Sequence, residues 1–202
     1  WEELWYMTVS KCDCESVKLA AECLLKGGVA VLPTDTVYGF SGAVDVPGRK
    51  RFYSDDRIRA IKGRSESKPL IELIASPKDI YLYTDVKIPQ AVMSKWPGAL
   101  TVIVPVKKDV PLFCDTPCVA FRCPGDEWIR KVIELCGCPV YSTSVNRSGS
   151  PVLDTISAIK DEFGSEADLI VEDGDKKGCL PSTLVRINGE KIEVLRQGSV
   201  TV

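Results

Sequence analysis

The sequence predicts an α/β fold: one domain built on a mixed β-sheet with flanking helices. Three observations carry that expectation. Helix-period and strand-like runs alternate from residue 13 to residue 196, the pattern of helices laid against a sheet. No repeat, low-complexity tract or linker interrupts the 202 residues, a length that suits a single domain. The strand-like runs 99–106 and 118–123 are neighbours without a helix between them, and Asn188-Gly189 marks a two-residue hairpin. Antiparallel pairs therefore enter what would otherwise be a parallel sheet.

The elements follow in order. Residues 13–28 read as a helix: Asp13 or Ser16 can cap it, Val17, Ala20, Ala21, Leu24 and Leu25 share one face, and Gly27-Gly28 stops it. Residues 29–32 form a short buried strand. The basic stretch 49–64 reads as a helix with Phe52, Ile58 and Ile61 inward, and 69–75 as a strand. Residues 89–96 are helical and end at Pro97-Gly98. After the strands 99–106 and 118–123 comes a helix over 126–137 closed by Gly137, a strand at 139–144, a helix at 155–164, a strand at 168–173 and the closing hairpin.

Composition narrows the function classes. A net charge of -2 does not favour a broad nucleic-acid-binding surface, though a local basic pocket fits it. No apolar run approaches the ~18–20 residues of a membrane helix, and the acidic start "WEELWYMTVS" lacks the layout of a signal peptide. Nine cysteines, an odd number scattered through predicted helices and strands, point to reduced thiols and a cytoplasmic location. The pairs Cys12/Cys14 and Cys136/Cys138 lack zinc-ribbon spacing, so no tightly bound, protein-ligated metal is expected. The chain has no histidine. Ser-His-Asp and Cys-His machinery and the commonest general base are thereby excluded. Catalysis would have to use positioning, lysine and arginine charge, and hydroxyl groups.

In open α/β sheets ligand sites gather at strand ends. Four polar clusters lie there: "PTDTVYG" (33–39), "KGRSESKP" (62–69), "STSVNRSG" (142–149), and a tail carrying "PST" (181–183) and "LRQGS" (195–199), with Arg122 ending the run "CVAFR". Each alone fits a bland role: a self-bonded turn, a helix C-terminus rich in cations, a polar loop, a surface ion pair. Together they supply cations that neutralise phosphate, donors for its remaining oxygens, and hydroxyls with an arginine suited to an amino acid. Neither G-x-x-x-x-G-K-[ST] nor G-x-G-x-x-G occurs, which excludes P-loop and Rossmann nucleotide binding.

These clusters, with "WPGALT" (96–101) and "VAFRCP" (119–124), occur in an order that resembles the YrdC family, the threonylcarbamoyl-AMP synthases, from about Ser16 to Ser199. The resemblance implies a single YrdC-like domain over residues 7–202, preceded by an extension at 1–6, with a twisted mixed sheet around a deep, positively charged cavity. It implies synthesis of threonylcarbamoyl-AMP and pyrophosphate from L-threonine, bicarbonate and ATP, the ATP arriving as substrate with Mg. A downstream transferase would pass the threonylcarbamoyl group to tRNA, and tRNA itself is a further candidate partner; no membrane is involved. The family's catalytic tetrad falls on Lys62, Arg64, Ser144 and Asn146. Further ATP contacts fall on Lys68, Arg196 and, through backbone, Cys118 and Val152. The threonine side falls on Thr36, Arg122, Ser142 and Ser182, with Thr34 and Tyr38 lining the same wall.

The sequence departs from the family pattern in places. Leu73 stands where some members carry a histidine near threonine, "RQG" replaces the commoner Arg-Pro-Gly, and segment 45–56 is unusual. Two other readings remain: a paralogue that binds nucleotide or RNA without efficient synthesis, and a relative handling another carbamoyl adenylate, as in hydrogenase maturation. The complete tetrad disfavours the first, and the lack of zinc-finger and acylphosphatase segments disfavours the second.

Overall fold

The computed structural model describes residues 7–63, 70–110 and 116–202. Among these, ten strands form one mixed sheet in the order β1-β8-β2-β3-β7-β4-β6-β5-β9-β10. The strands are β1 (Met7–Ser10), β2 (Ala30–Leu32), β3 (Gly39–Ala43), β4 (Ile71–Leu73), β5 (Leu100–Pro105), β6 (Cys118–Arg122), β7 (Val140–Ser144), β8 (Leu169–Glu172), β9 (Thr183–Asn188) and β10 (Lys191–Arg196). The helices are α1 (Ser16–Leu25), α2 (Ser54–Lys62), α3 (Gln90–Met93), α4 (Glu127–Cys136) and α5 (Ile156–Phe163), with a 3-10 helix at Pro77–Leu82. The predicted α/β class and mixed sheet are present: β7 runs antiparallel to both β3 and β4, while β4 runs parallel to β6.

Alternation along the strands sorts the core into layers. Ala30, Leu32, Ala43, Leu73, Val140, Leu169 and Val171 point to one face, where Ala20, Ala21 and Leu24 of α1 and Ile129, Val132 and Ile133 of α4 cover them. Val31, Phe40 and Ile170 point to the other face, under Ile58 and Ile61 of α2 and Ile159 and Phe163 of α5. That second face continues across Val102, Val119, Phe121 and Val185, packed by Ile80, Val92 and Trp96. Tyr141 packs against both parts of this second layer.

The first face is covered only over part of its length. Along β7 the same-face positions run Val140, Ser142, Ser144, and Ser142 pairs with Ser41 on one side and Ile71 on the other. Val140 is buried beneath the helices, but Ser142 and Ser144 lie beyond them, where the sheet opens into a cavity. The polarity change along a single strand thus marks where core ends and site begins.

Several predicted boundaries shift. The helix expected over 49–64 begins only at Ser54, because the Asp45 carboxylate accepts from the backbone N–H of Phe52 at 2.7 Å and of Tyr53 at 3.0 Å. Those bonds hold the preceding segment out of the helix, and Tyr53 takes a left-handed backbone with φ 53°. Phe52 still packs inward, but beneath the α1 and α4 layer, whereas Ile58 and Ile61 join the opposite one. At the N-terminus of α1 neither Asp13 nor Ser16 is the cap residue; Glu15 is, and Asp13 instead accepts from the Glu15 N–H at 2.8 Å. Strands β1 and β3 and the 3-10 helix were not anticipated.

Candidate active site

The cavity holds about 340 Å³ and is lined by residues of β4, β6 and β7 and of the turn between β2 and β3, with the segments at 152–154 and 179–182 at its rim. Thr34, Thr36, Tyr38, Arg122, Ser142, Ser144, Val152, Ser182 and Arg196, all singled out in the sequence, line it.

One wall is the turn between β2 and β3. The Thr34 hydroxyl donates to the Val37 carbonyl at 2.7 Å and accepts from the Thr36 N–H at 3.1 Å, so the turn is closed by its own side chain. Its oxygen lies 3.0 Å from that of Thr36. Arg122, at the end of β6, donates from Nη1 to the Thr36 hydroxyl at 2.9 Å, from Nε to the Gly98 carbonyl at 3.2 Å, and from Nη2 to the Asp35 carboxylate at 2.5 Å. Arg122 is only 5% exposed. Burial lowers its pKa, opposed by the charge and hydrogen bond of Asp35. Motif "WPGALT" therefore places a carbonyl on the arginine.

Tyr38 contributes its ring to the wall, but its hydroxyl is engaged with backbone. It donates to the Gly174 carbonyl at 2.6 Å and accepts from the Asp173 N–H at 2.7 Å. Burial pushes the phenol up to about 12, so it stays neutral. Ser142 lies diagonally across the strand pair from Gly39, whose register partner is Ser144. A Cβ on Gly39 would come within 2.5 Å of the Ser142 hydroxyl oxygen, so glycine there is what leaves the serine its place.

The far wall comes from the tail. The Ser182 hydroxyl lies 2.7 Å from that of the buried Thr101, and Arg196 folds back to donate from Nη2 to the Ser182 carbonyl at 2.8 Å and from Nε at 3.2 Å. Burial lowers the pKa of Arg196. Gly198 closes this fold: a Cβ there would collide with the Pro181 carbonyl.

Lys62, Ser144 and Asn146 meet beside the cavity although more than eighty residues separate Lys62 from the other two in sequence. Lys62 is only 2% exposed, and its ammonium donates to the Ser144 carbonyl and to Asn146 Oδ1, the latter at 2.7 Å. The Ser144 hydroxyl also donates to Asn146 Oδ1, at 2.8 Å, and Asn146 Nδ2 donates to the Ser150 carbonyl at 2.7 Å. Backbone ties reinforce the junction: the Ser148 N–H donates to the Lys62 carbonyl at 2.7 Å, and Arg147 Nη1 donates to the Ile61 carbonyl. Of these three side chains, only Ser144 lies on the cavity lining itself.

Arg64 and Lys68 lie outside the described residues. Cys118 shares a face of β6 with Ala120 and Arg122 but does not line the cavity. Asp154 and Cys179 do line it and were not anticipated. Asp154 sits in "PVLDT" and Cys179 just before "PST". Both are single residues inside loops, so no spacing pattern announced them. With Arg122 and Arg196 against Asp154, the described charges on the lining are two positive and one negative.

The fold and these side chains place the chain within a known family. The Sua5/YciO/YrdC family model, described as "Telomere recombination", matches residues 22–198, and the chain belongs to that family. A threonylcarbamoyl-AMP synthase of Pyrococcus abyssi is 30% identical over 193 residues, covering 91% of this chain and 54% of the relative. The chain thus spans about half of that longer protein. A threonylcarbamoyl-AMP synthase of Photobacterium profundum is 29% identical over 191 residues, covering 91% of this chain and 100% of the relative. The solved structure of P. abyssi Sua5 complexed with L-threonine superposes with a TM-score of 0.81 at 28% identity, over 96% of this chain and 57% of that one.

Proposed function

We propose that this chain is an L-threonylcarbamoyladenylate synthase, joining L-threonine, bicarbonate and ATP into threonylcarbamoyl-AMP with release of pyrophosphate. The observation that carries this reading is one cavity with two chemically different sides. Thr36, Arg122, Ser142 and Ser182 suit an amino acid, and the Lys62, Ser144 and Asn146 cluster beside them suits a phosphate chain.

In this reading the neutral threonine amine condenses with bicarbonate, the C–N bond forming as a C–O bond breaks and water leaves, to give a carbamate that is already an oxyanion and needs no histidine base for the next step. A carbamate oxygen attacks the α-phosphorus of ATP; the new P–O bond forms as the bond to the β-phosphate breaks, and pyrophosphate leaves with that electron pair. Such displacement depends on alignment and on charge placed where it develops. Lys62 supplies that charge when a phosphate oxygen takes over one of its protein acceptors. Arg64, Lys68 and Arg196 are proposed to hold the rest of the polyphosphate, and the backbone at Cys118 and Val152 the nucleoside. Mg is proposed to arrive with ATP as part of the substrate. The carbamate decomposes in bulk water, so a closed pocket protects it until attack. The positive character of the cavity, the cytoplasmic location, the downstream transferase and contact with tRNA belong to this same proposal.

Pyrophosphate release, with threonine and bicarbonate added to ATP separately and then together, tests it. Synthesis requires release only with both present, and threonylcarbamoyl-AMP as the nucleotide product. Nucleotide binding without turnover under those conditions would leave the chain a binding module.

A further inference from the structure

We infer that Asp35 is a positioning residue for the amino-acid side of the site: it fixes the plane of the Arg122 guanidinium so that this arginine can receive a substrate carboxylate. The inference rests on the reading of the cavity as a threonine site. Asp35 does not line the cavity, whereas its neighbours Thr34 and Thr36 and its partner Arg122 do. Its carboxylate therefore stands behind the wall and acts through the arginine.

Arg122 is held at three separate nitrogens: Nε by the Gly98 carbonyl, Nη1 by Thr36 and Nη2 by Asp35. A guanidinium has five N–H donors in one plane. Three anchored nitrogens fix that plane, and each terminal nitrogen keeps a second N–H for a ligand. Of the anchors only Asp35 is charged, and at 2.5 Å it is the shortest. Arg122 is nearly fully buried, so without Asp35 its charge would be uncompensated whenever the cavity is empty.

The seat of Asp35 is itself built. A Cβ on Gly125 would come within 2.9 Å of Asp35 Oδ2, so the absence of a side chain at residue 125 admits the carboxylate. The obstructed atom is the end of a side chain rather than backbone. Gly125→Ala therefore displaces the carboxylate while leaving the strands in place.

Two opposite effects of Asp35 on a carboxylate ligand can be weighed. Its charge attenuates the field of Arg122, which weakens binding; its hydrogen bond fixes the arginine, which strengthens binding. The second dominates when the arginine is buried and bidentate geometry is required. Asp35→Asn keeps the shape but replaces the charge-assisted anchor with a neutral one about half as strong, so threonine KM rises if the anchor dominates and falls if the attenuation of the field dominates.

The test is steady-state synthesis by the full chain with threonine and ATP varied in turn, alongside thermal unfolding, for wild type, Asp35→Asn and Gly125→Ala. Asp35→Asn is expected to raise KM for threonine by about tenfold or more, and Gly125→Ala by a smaller factor, with KM for ATP within about twofold in both. An unchanged or lowered threonine KM in the folded variants overturns the assignment, as does an equal loss for both substrates. If Asp35→Asn does not fold, Gly125→Ala decides by the same split. No threonine-dependent product from wild type overturns the synthase reading and the Asp35 assignment with it. Normal wild-type synthesis with unaltered variants overturns the Asp35 assignment alone.

Discussion

Replacing Lys62 by methionine isolates the charge at the centre of the proposed phosphate site. The methionine stem keeps most of the packing of the buried side chain, while the ammonium and its bonds to the Ser144 carbonyl and Asn146 Oδ1 are lost. Asn146 Oδ1 keeps the Ser144 hydroxyl at 2.8 Å, so the polar cluster is thinned rather than abolished. Hydrogen bonds to a charged group contribute about 1.5–3 kcal/mol each, and relief of the buried ammonium's desolvation offsets part of the loss of two, so a net loss of about one such bond predicts a melting temperature lower by roughly 3–12 °C for a domain of this size. The effect on turnover is expected to be larger. A preorganised donor aimed at charge developing in the transition state supplies about 2.7–4 kcal/mol, or roughly 100- to 1000-fold in kcat. The assay is pyrophosphate release at saturating substrates, at a temperature well below the melting point of the variant, with the product identified. A purely structural lysine would cost stability and leave kcat of the folded fraction intact. Turnover within about threefold of wild type would refute the catalytic role.

Other consequences can be checked independently. Burial, with a smaller contribution from Asp55, raises the Glu72 pKa from 4.5 to about 8. The folded state then keeps a proton that the unfolded chain releases, so Glu72 favours folding at acid pH and this contribution is lost as pH rises from 4.5 toward about 8. Glu72→Gln should raise stability in urea by more than about 1 kcal/mol at about pH 9 and change it little at about pH 5; an equal effect at both would exclude the linkage. Tyr38→Phe removes two buried bonds to backbone and should lower stability by about 1–3 kcal/mol with kcat nearly unchanged, whereas a large fall in kcat would assign the hydroxyl to the substrate. Threonine should be preferred to serine by a factor set by one methyl group, about 1–3 kcal/mol, read in direct competition. In native alkylation the exposed Cys12, Cys14 and Cys179 should react well before Cys136, whose thiol burial pushes up to about 12; uniform rates would contradict that burial.

The sequence announced most of the layered fold because helices α1, α4 and α5 carry clean apolar faces and definite stops. It failed where side chains far away decide local structure. Residues 39–43 contain two glycines and small residues, and the sequence predicts no element there, yet they form a fully buried strand. Gly39 is glycine because of Ser142, roughly a hundred residues later, and no local pattern reveals that. The helix start at Ser54 was missed because the Asp45 carboxylate overrides the propensity of the basic run. Cavity-lining residues were legible in short polar motifs at strand ends: Thr36, Arg122, Ser142, Ser144 and Ser182 all reach the cavity. The engagement of the Tyr38 hydroxyl with residues 173 and 174 was not legible, since it depends on how the β8 end crosses the site.

The place of β7 in the sheet bears on how the molecule is made. It lies between β3 and β4, which both precede it by at least sixty-seven residues, and its serines complete the cavity. A nascent chain that has emerged only as far as α4 leaves the facing edges of β3 and β4 unpaired, with neither the lysine cluster nor the serine wall assembled. Closure awaits insertion of a central strand between two waiting edges, a non-local step that folds slowly and exposes edges prone to association. The period of greatest vulnerability during synthesis therefore falls between the emergence of β4 and that of β7, and it ends at the same moment the site comes into being.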